Sequence, residues 1–108
     1  ENTITGNLEW TIENFAKMEG NKKVLLLGGM MELGTESITE HQSIINVIDN
    51  YKWQAVVLVG GDYHKLKHQY INLENSLQAK DWFNKQQFEN TQVLIKGSRS
   101  MQMEKVLG

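Results

Sequence analysis

The chain has 108 residues, 11 of them Lys or Arg and 13 Asp or Glu, for a formal charge of −2. That length suits one domain with a real core but is small for a complete two-substrate enzyme, and the near-balanced charge, with no basic stripe, argues against nucleic-acid binding. The chain has no cysteine, so disulfides and thiolate chemistry are excluded and the redox compartment stays open. No apolar run approaches membrane-spanning length and no signal-peptide pattern opens the chain, so a cytoplasmic monomer is expected, with no membrane partner.

Residues 1–6 are polar and read as a loop or linker remnant. Asn7 is placed as the N-cap of a helix in which Leu8, Ile12, Phe15 and Met18 recur at helical spacing, stopped by Gly20 and Asn21. Val24-Leu25-Leu26-Leu27, between Lys22-Lys23 and Gly28-Gly29, is a continuous apolar run suited to a strand buried on both faces. After the loop over residues 28–34, Ser37 and Glu40 form the pattern of a capping box. The helix so opened runs to about Asn50 and carries Ile38, His41, Ile45 and Ile48 inward, with Ile44 beside them.

Ala55-Val56-Val57-Leu58-Val59 is a second buried strand, closed by Gly60-Gly61-Asp62, and Tyr70-Ile71 suggests a short edge strand. Asn75 and Gln78 suggest another capping box, for a helix to about Gln87 that carries Trp82 and Phe83. Val93-Leu94-Ile95 is the last strand, and Met103, Val106 and Leu107 predict a final helix over residues 100–107. Strands alternating with helices make this an α/β domain: a Rossmann-like, three-layer arrangement with a mainly parallel sheet of about 4–6 strands and helices on both faces.

In such a sheet, ligands collect at the carboxyl ends of the strands. Three loops gather there: residues 28–34, 60–62 and 96–99. The last carries Lys96, Gly97, Ser98 and Arg99. A strand that stops at a glycine and restarts as a helix offers backbone N–H groups to an anion, and Lys96 and Arg99 add cationic donors. The competing reading is an ordinary turn with solvated charges. Glu32 either pairs across the rim with Arg99 or Lys96 or is a solvated loop carboxylate.

Other motifs fail on inspection. Gly29 and Gly34 have P-loop spacing, but Thr35-Glu36 stands where Lys-Ser/Thr is required, and no G-x-G-x-x-G is present. His64 and His68 are four residues apart, yet Lys65 replaces the glutamate of H-E-x-x-H, and Lys65 and Lys67 repel a cation. His41, on an apolar stripe, reads as a hydrogen-bonded core histidine. No nucleophile–base–orienter set can be assembled, so no catalytic residue is assigned.

Two stretches resemble the Mur ligases, and the resemblance covers nearly the whole chain. Residues 24–34 with Glu36, Glu40 and His41 resemble a family segment reading G-D-M-x-E-L-G with a histidine in the next helix. Residues 93–103, with Glu104 and Val106, resemble the ending V-L-V-K-G-S-R-S-M-x-M-E-x-V. The branch that adds D-alanyl-D-alanine is the best match. The resemblance implies the last of three domains, residues 1–108 closing over a site whose UDP-sugar and ATPase domains lie elsewhere.

It implies a reaction in which ATP phosphorylates the carboxylate of UDP-N-acetylmuramoyl-tripeptide and the amine of D-alanyl-D-alanine attacks the acyl phosphate. Mg2+ and ATP would be held mainly by the central ATPase domain. Lys96, Gly97, Ser98 and Arg99 would line the mouth holding the dipeptide. Two departures stand out: Gly29 replaces the family's aspartate, and the D-x-Y-N-A-N-P-x-S-M opening is reduced to Asn2, the one candidate nucleotide contact. Read without the resemblance, the chain is a non-catalytic α/β module that binds small anions or a protein.

Overall fold

The computed structural model describes residues 8–30 and 34–108. The expectations for Asn2, Asn7, Glu32 and the 1–6 linker fall outside those residues. Helix α1 (Leu8–Lys17) precedes strand β1 (Lys23–Gly28), followed by α2 (Ser37–Ile48), β2 (Ala55–Val59), β3 (Ile71–Leu73), α3 (Ser76–Gln86) and β4 (Gln92–Lys96). The four strands form one sheet in the order β3-β2-β1-β4, and every pairing is parallel. Parallel neighbours require crossovers, which is why helices separate most of them.

The strand period of two divides the apolar residues between two cores. Leu25, Leu27, Val56 and Leu58 pack with Ile12 and Phe15 of α1 and with Ile44, Ile45 and Ile48 of α2. Val24, Leu26, Val57 and Val59 pack on the other face with Ala79 of α3 and with Met103 and Val106. Helical layers therefore cover both faces, as the unbroken apolar run of β1 predicts.

Four local features differ from the sequence reading. Lys23 does not flank β1 but begins it, buried. Its ammonium donates to the carbonyls of Ala16 (2.8 Å) and Met18, satisfying acceptors left open at the end of α1. Ile38 is exposed, and Ile44 takes its place in the core. The Ser37–Glu40 capping box does not form: Glu36 is the N-cap, without a side-chain bond, and Ser37 is the first residue inside the helix, its hydroxyl donating to Asp62. At α3 the cap does form, Asn75 Oδ1 accepting from the Gln78 N–H at 2.9 Å.

The last difference matters for function. Residues 100–107 are not an α-helix but two 3-10 segments, Arg99–Met101 and Met103–Leu107, broken by Gln102 in the left-handed region at φ 52°. Met103 and Val106 are buried as their spacing suggests, and Leu107 is exposed. The methionines explain the shape. A Cβ on Gly28 or Gly97 would lie 2.8 Å from Met103 Cγ, and one on Gly60 would lie 2.5 Å from Met101 Cε. Seating both methionines in notches left by glycines at the strand ends holds the chain in tighter turns than an α-helix.

Candidate functional site

All four strands point the same way, so the turns after β1, β2 and β4 share the carboxyl rim. Register fixes their heights: Gly28 is level with Val59, and Leu27 with Lys96. The chain leaves β1 toward β2 on one side, while β4 lies on the other. The gap between β1 and β4 is therefore the switch point at which open α/β sheets bind ligands. There the two turns touch, since a Cβ on Gly97 would stand 3.0 Å from Gly28 Cα.

The β1 and β2 turns are as close. A Cβ on Gly29 would stand 2.4 Å from Gly61 Cα. The aspartate that the resemblance leads one to expect at position 29 thus has no room unless the 60–62 turn moves. Gly60 and Gly61 both have positive φ, 66° and 58°, a conformation that glycine adopts without strain.

Of the residues singled out in the last turn, Lys96 is half-buried at the end of β4, Gly97 and Arg99 are exposed, and Ser98 is half-buried. Ser98 is extended and its hydroxyl lies 3.2 Å from that of Ser100. The first 3-10 segment is closed by bonds from the Met101 N–H to Ser98 O (3.0 Å) and from the Gln102 N–H to Arg99 O (3.1 Å). Three residues of 3-10 helix do not carry the macrodipole of a full α-helix. Any attraction for an anion at this turn therefore owes nothing to a helix dipole and rests on the Lys96 and Arg99 side chains and on local backbone N–H groups.

The residues that the sequence reading did not connect are Ser37, His41 and Asp62. His41 is fully buried. Its Nε2 accepts from the Met30 N–H (3.1 Å) and, at longer range, from the Asp62 N–H (3.4 Å). Its Nδ1–H donates to Ser37 O at 2.7 Å, with the Ser37 hydroxyl oxygen at 3.2 Å. The Ser37 hydroxyl donates to Asp62 Oδ2 at 2.5 Å. That bond, and then the Lys65 ammonium 3.3 Å from Asp62, hold the Asp62 carboxyl below its usual range.

The trio has the composition of a hydrolytic triad and none of its geometry. A triad base takes its proton from serine through a free ring nitrogen, whereas here Ser37 donates to the carboxylate and both histidine nitrogens are engaged with backbone. Tyr63, fully buried, sets its ring edge-on against His41 at 4.5 Å. The expectation of a hydrogen-bonded core histidine holds. The i, i+4 step from Ser37 to His41 was readable in the sequence; the contact with Asp62 was not, because it is made only when the β1 and β2 turns meet.

His64 is exposed. His68 Nε2–H donates to Tyr63 O (3.2 Å) and its Nδ1 accepts from the Tyr70 N–H (3.0 Å). Among the described residues no group of three or more His, Asp or Glu side chains could hold a metal, so no magnesium ligand is assigned to them. No described helix is long and apolar enough to cross a membrane. An open concavity of about 360 Å³ lies at the opposite, amino rim, lined by Asp49, Tyr51, His68, Gln69 and Tyr70. The Tyr70 hydroxyl there donates to Asp49, so its principal polar groups are bonded to each other.

No protein-family model and no curated protein sequence matches this chain. A solved structure does match in fold: crystal structure II of MurF from Acinetobacter baumannii, with a TM-score of 0.66 and 19% sequence identity. The match covers 92% of this chain and 25% of that one, so the chain spans about a quarter of the structure that it resembles. The Rossmann-like arrangement expected from the sequence is thus also the arrangement of part of a MurF chain.

Proposed function

We propose that this chain is the C-terminal, substrate-closing domain of an ATP-dependent amide-bond-forming ligase of the Mur type. Its reaction would add D-alanyl-D-alanine to UDP-N-acetylmuramoyl-tripeptide, in the bacterial cytoplasm, during peptidoglycan precursor synthesis. The observation that carries the reading is the meeting of the β1 and β4 turns at the switch point, in a fold shared with part of MurF. The motif at residues 96–99 stands at that meeting point.

In this reading the dipeptide carboxylate is held by Arg99, whose planar fork suits two oxygens, with Lys96 adding charge. Backbone N–H groups of Gly97 and Ser98 and the carboxylate of Glu32 complete the proposed subsite, Glu32 being suited to the dipeptide ammonium. ATP, Mg2+ and the tripeptide carboxylate are held mainly by the central domain of the same protein, and Asn2 is the candidate nucleotide contact on this chain. Holding the amine near attack distance is positional catalysis, which can lower a barrier by several kcal/mol. Closing the rim over the acyl phosphate also excludes water.

Arg99→Ala in the full-length protein tests this. Loss of a charge-assisted, bidentate contact of about 1.5–3 kcal/mol raises KM for D-alanyl-D-alanine by roughly 10- to 100-fold, with KM for ATP unchanged. Unchanged dipeptide kinetics dispose of the assignment. The non-catalytic reading predicts instead that a protein carrying this chain lacks ligase activity altogether while the chain still binds small anions.

A further inference from the structure

A fully buried imidazole, that of His41, stands behind the rim and has no part in the proposed dipeptide subsite. His41 joins three elements: the first turn of α2 through Ser37 O, the β1 turn through the Met30 N–H, and the β2 turn through the Asp62 N–H. Both N–H groups converge on Nε2, so that nitrogen must be unprotonated and the ring must be the Nδ1–H tautomer, which is also what the 2.7 Å contact with Ser37 O requires. No side chain separates the turns that the ring ties. Gly29 and Gly61 touch through their backbones, and a Cβ on Gly61 would lie 2.7 Å from Nε2 itself. Gly28, one residue before Gly29, is in turn the contact of Gly97.

We infer that His41 is the positioning residue of this rim: through the acceptor lone pair on Nε2 it fixes the β1 turn against the β2 turn, and through Gly28 it sets where the 96–99 turn stands. The chain of contacts runs His41, Met30 and Gly29, Gly28, Gly97, each link a hydrogen bond, a peptide bond or a backbone contact. His41 touches no ligand in this scheme; it acts through Met30 and Asp62. The inference rests on the proposed dipeptide subsite only for its consequence, not for the latch itself.

The two ring nitrogens can be tested separately. Glutamine places an amide near the position of Nε2 and can accept from Met30 and Asp62. Asparagine reaches only the position of Nδ1, and leucine fills the volume with neither. In the full chain, His41→Gln should keep the Met30 and Asp62 amides protected from hydrogen exchange, whereas His41→Asn and His41→Leu should lose that protection by about tenfold or more. In a titration with D-alanyl-D-alanine, the amides of residues 96–99 should respond as in wild type for His41→Gln and need about fivefold more dipeptide for the other two.

Wild-type protection in the leucine or asparagine variant overturns the latch, as does lost protection with an unchanged dipeptide response. If a variant does not fold, the nitrogen chemical shifts of His41 in the wild-type chain decide, since an Nε2–H tautomer is incompatible with the proposal. A wild-type chain that ignores the dipeptide counts against the proposed function, and the latch is then judged by amide exchange and tautomer alone.

Discussion

On the β1–β2 side of the carboxyl rim, the turns meet backbone to backbone at Gly29 and Gly61 and are tied by a fully buried histidine. On the β4 side, Gly97 and Arg99 are exposed and the chain continues in short 3-10 segments held by methionines. The first half has no space to adjust, because a backbone contact cannot choose another rotamer. The second half rests on flexible thioethers and long cationic side chains, which adapt. Under the proposed function the two halves divide the work: one would set positions, and the other would reach the dipeptide.

Breaking the rigid half should have the largest effect. Gly61→Ala adds a methyl group 2.6 Å from Gly29 Cα at a residue with φ +58°. Left-handed strain and overpacking together should cost about 3 kcal/mol, lowering Tm by roughly 10 °C or more. Gly34→Ala is the matched control: φ is +62° but no atom of the described residues lies within 4 Å of the added carbon. Its cost should be about 1–2 kcal/mol, from strain alone. Equal destabilisation of the two in urea melts would show that the Gly29–Gly61 contact is not tight.

The adaptable half should respond less, and only where it is buried. Met103→Ala empties the notch between Gly28 and Gly97 and should cost about 2–3 kcal/mol. Leu107, 71% exposed, should change stability by less than about 0.5 kcal/mol when truncated to alanine. Arg99→Ala should be as mild in chemical denaturation, which separates its proposed ligand role from any structural one. A large loss of stability in Arg99→Ala would mean that the turn is built around the arginine rather than presenting it.

The sheet was legible because β1 and β2 are unbroken apolar runs ended by glycines, and only a parallel sheet with both faces covered buries such runs. The α3 cap was legible because it is local, three residues from donor to acceptor. The C-terminal helix was misread for a reason that periodicity cannot see: Met103 and Val106 are three apart and Leu107 four, which suits an α-helix, but α-helix and 3-10 turn share the three-residue step. What decides between them is Gly28, Gly60 and Gly97, more than thirty residues apart in places, whose notches hold Met101 and Met103. Ser37 was assigned to a capping box for a similar reason. Its spacing to Glu40 was right, but the 3-10 turn Gly34–Glu36 leads into α2, so Ser37 falls inside the helix and its hydroxyl donates to Asp62, 25 residues on.

The smallest effects are in the pH dependence, and they set the two rims of the sheet against each other. At the carboxyl rim, the Ser37 hydroxyl and then Lys65 lower the Asp62 pKa from 3.8. A depressed carboxyl contributes stability that is fully present above the unfolded pKa, near 3.9, and is lost as pH falls through the folded value. At the amino rim, burial, followed by the bond to Asp49, raises Tyr70 to about 12. The folded state there resists forming phenolate, so its contribution is complete below pH 10 and fades between pH 10 and about 12. Ser37→Ala should therefore flatten the acid limb of a stability–pH curve, below about pH 4, and leave the alkaline limb untouched. Asp49→Asn should do the reverse. If Ser37→Ala alters both limbs, the α2 turn holding the hydroxyl is coupled across the whole sheet, and the carboxyl rim is not the separately latched unit described above.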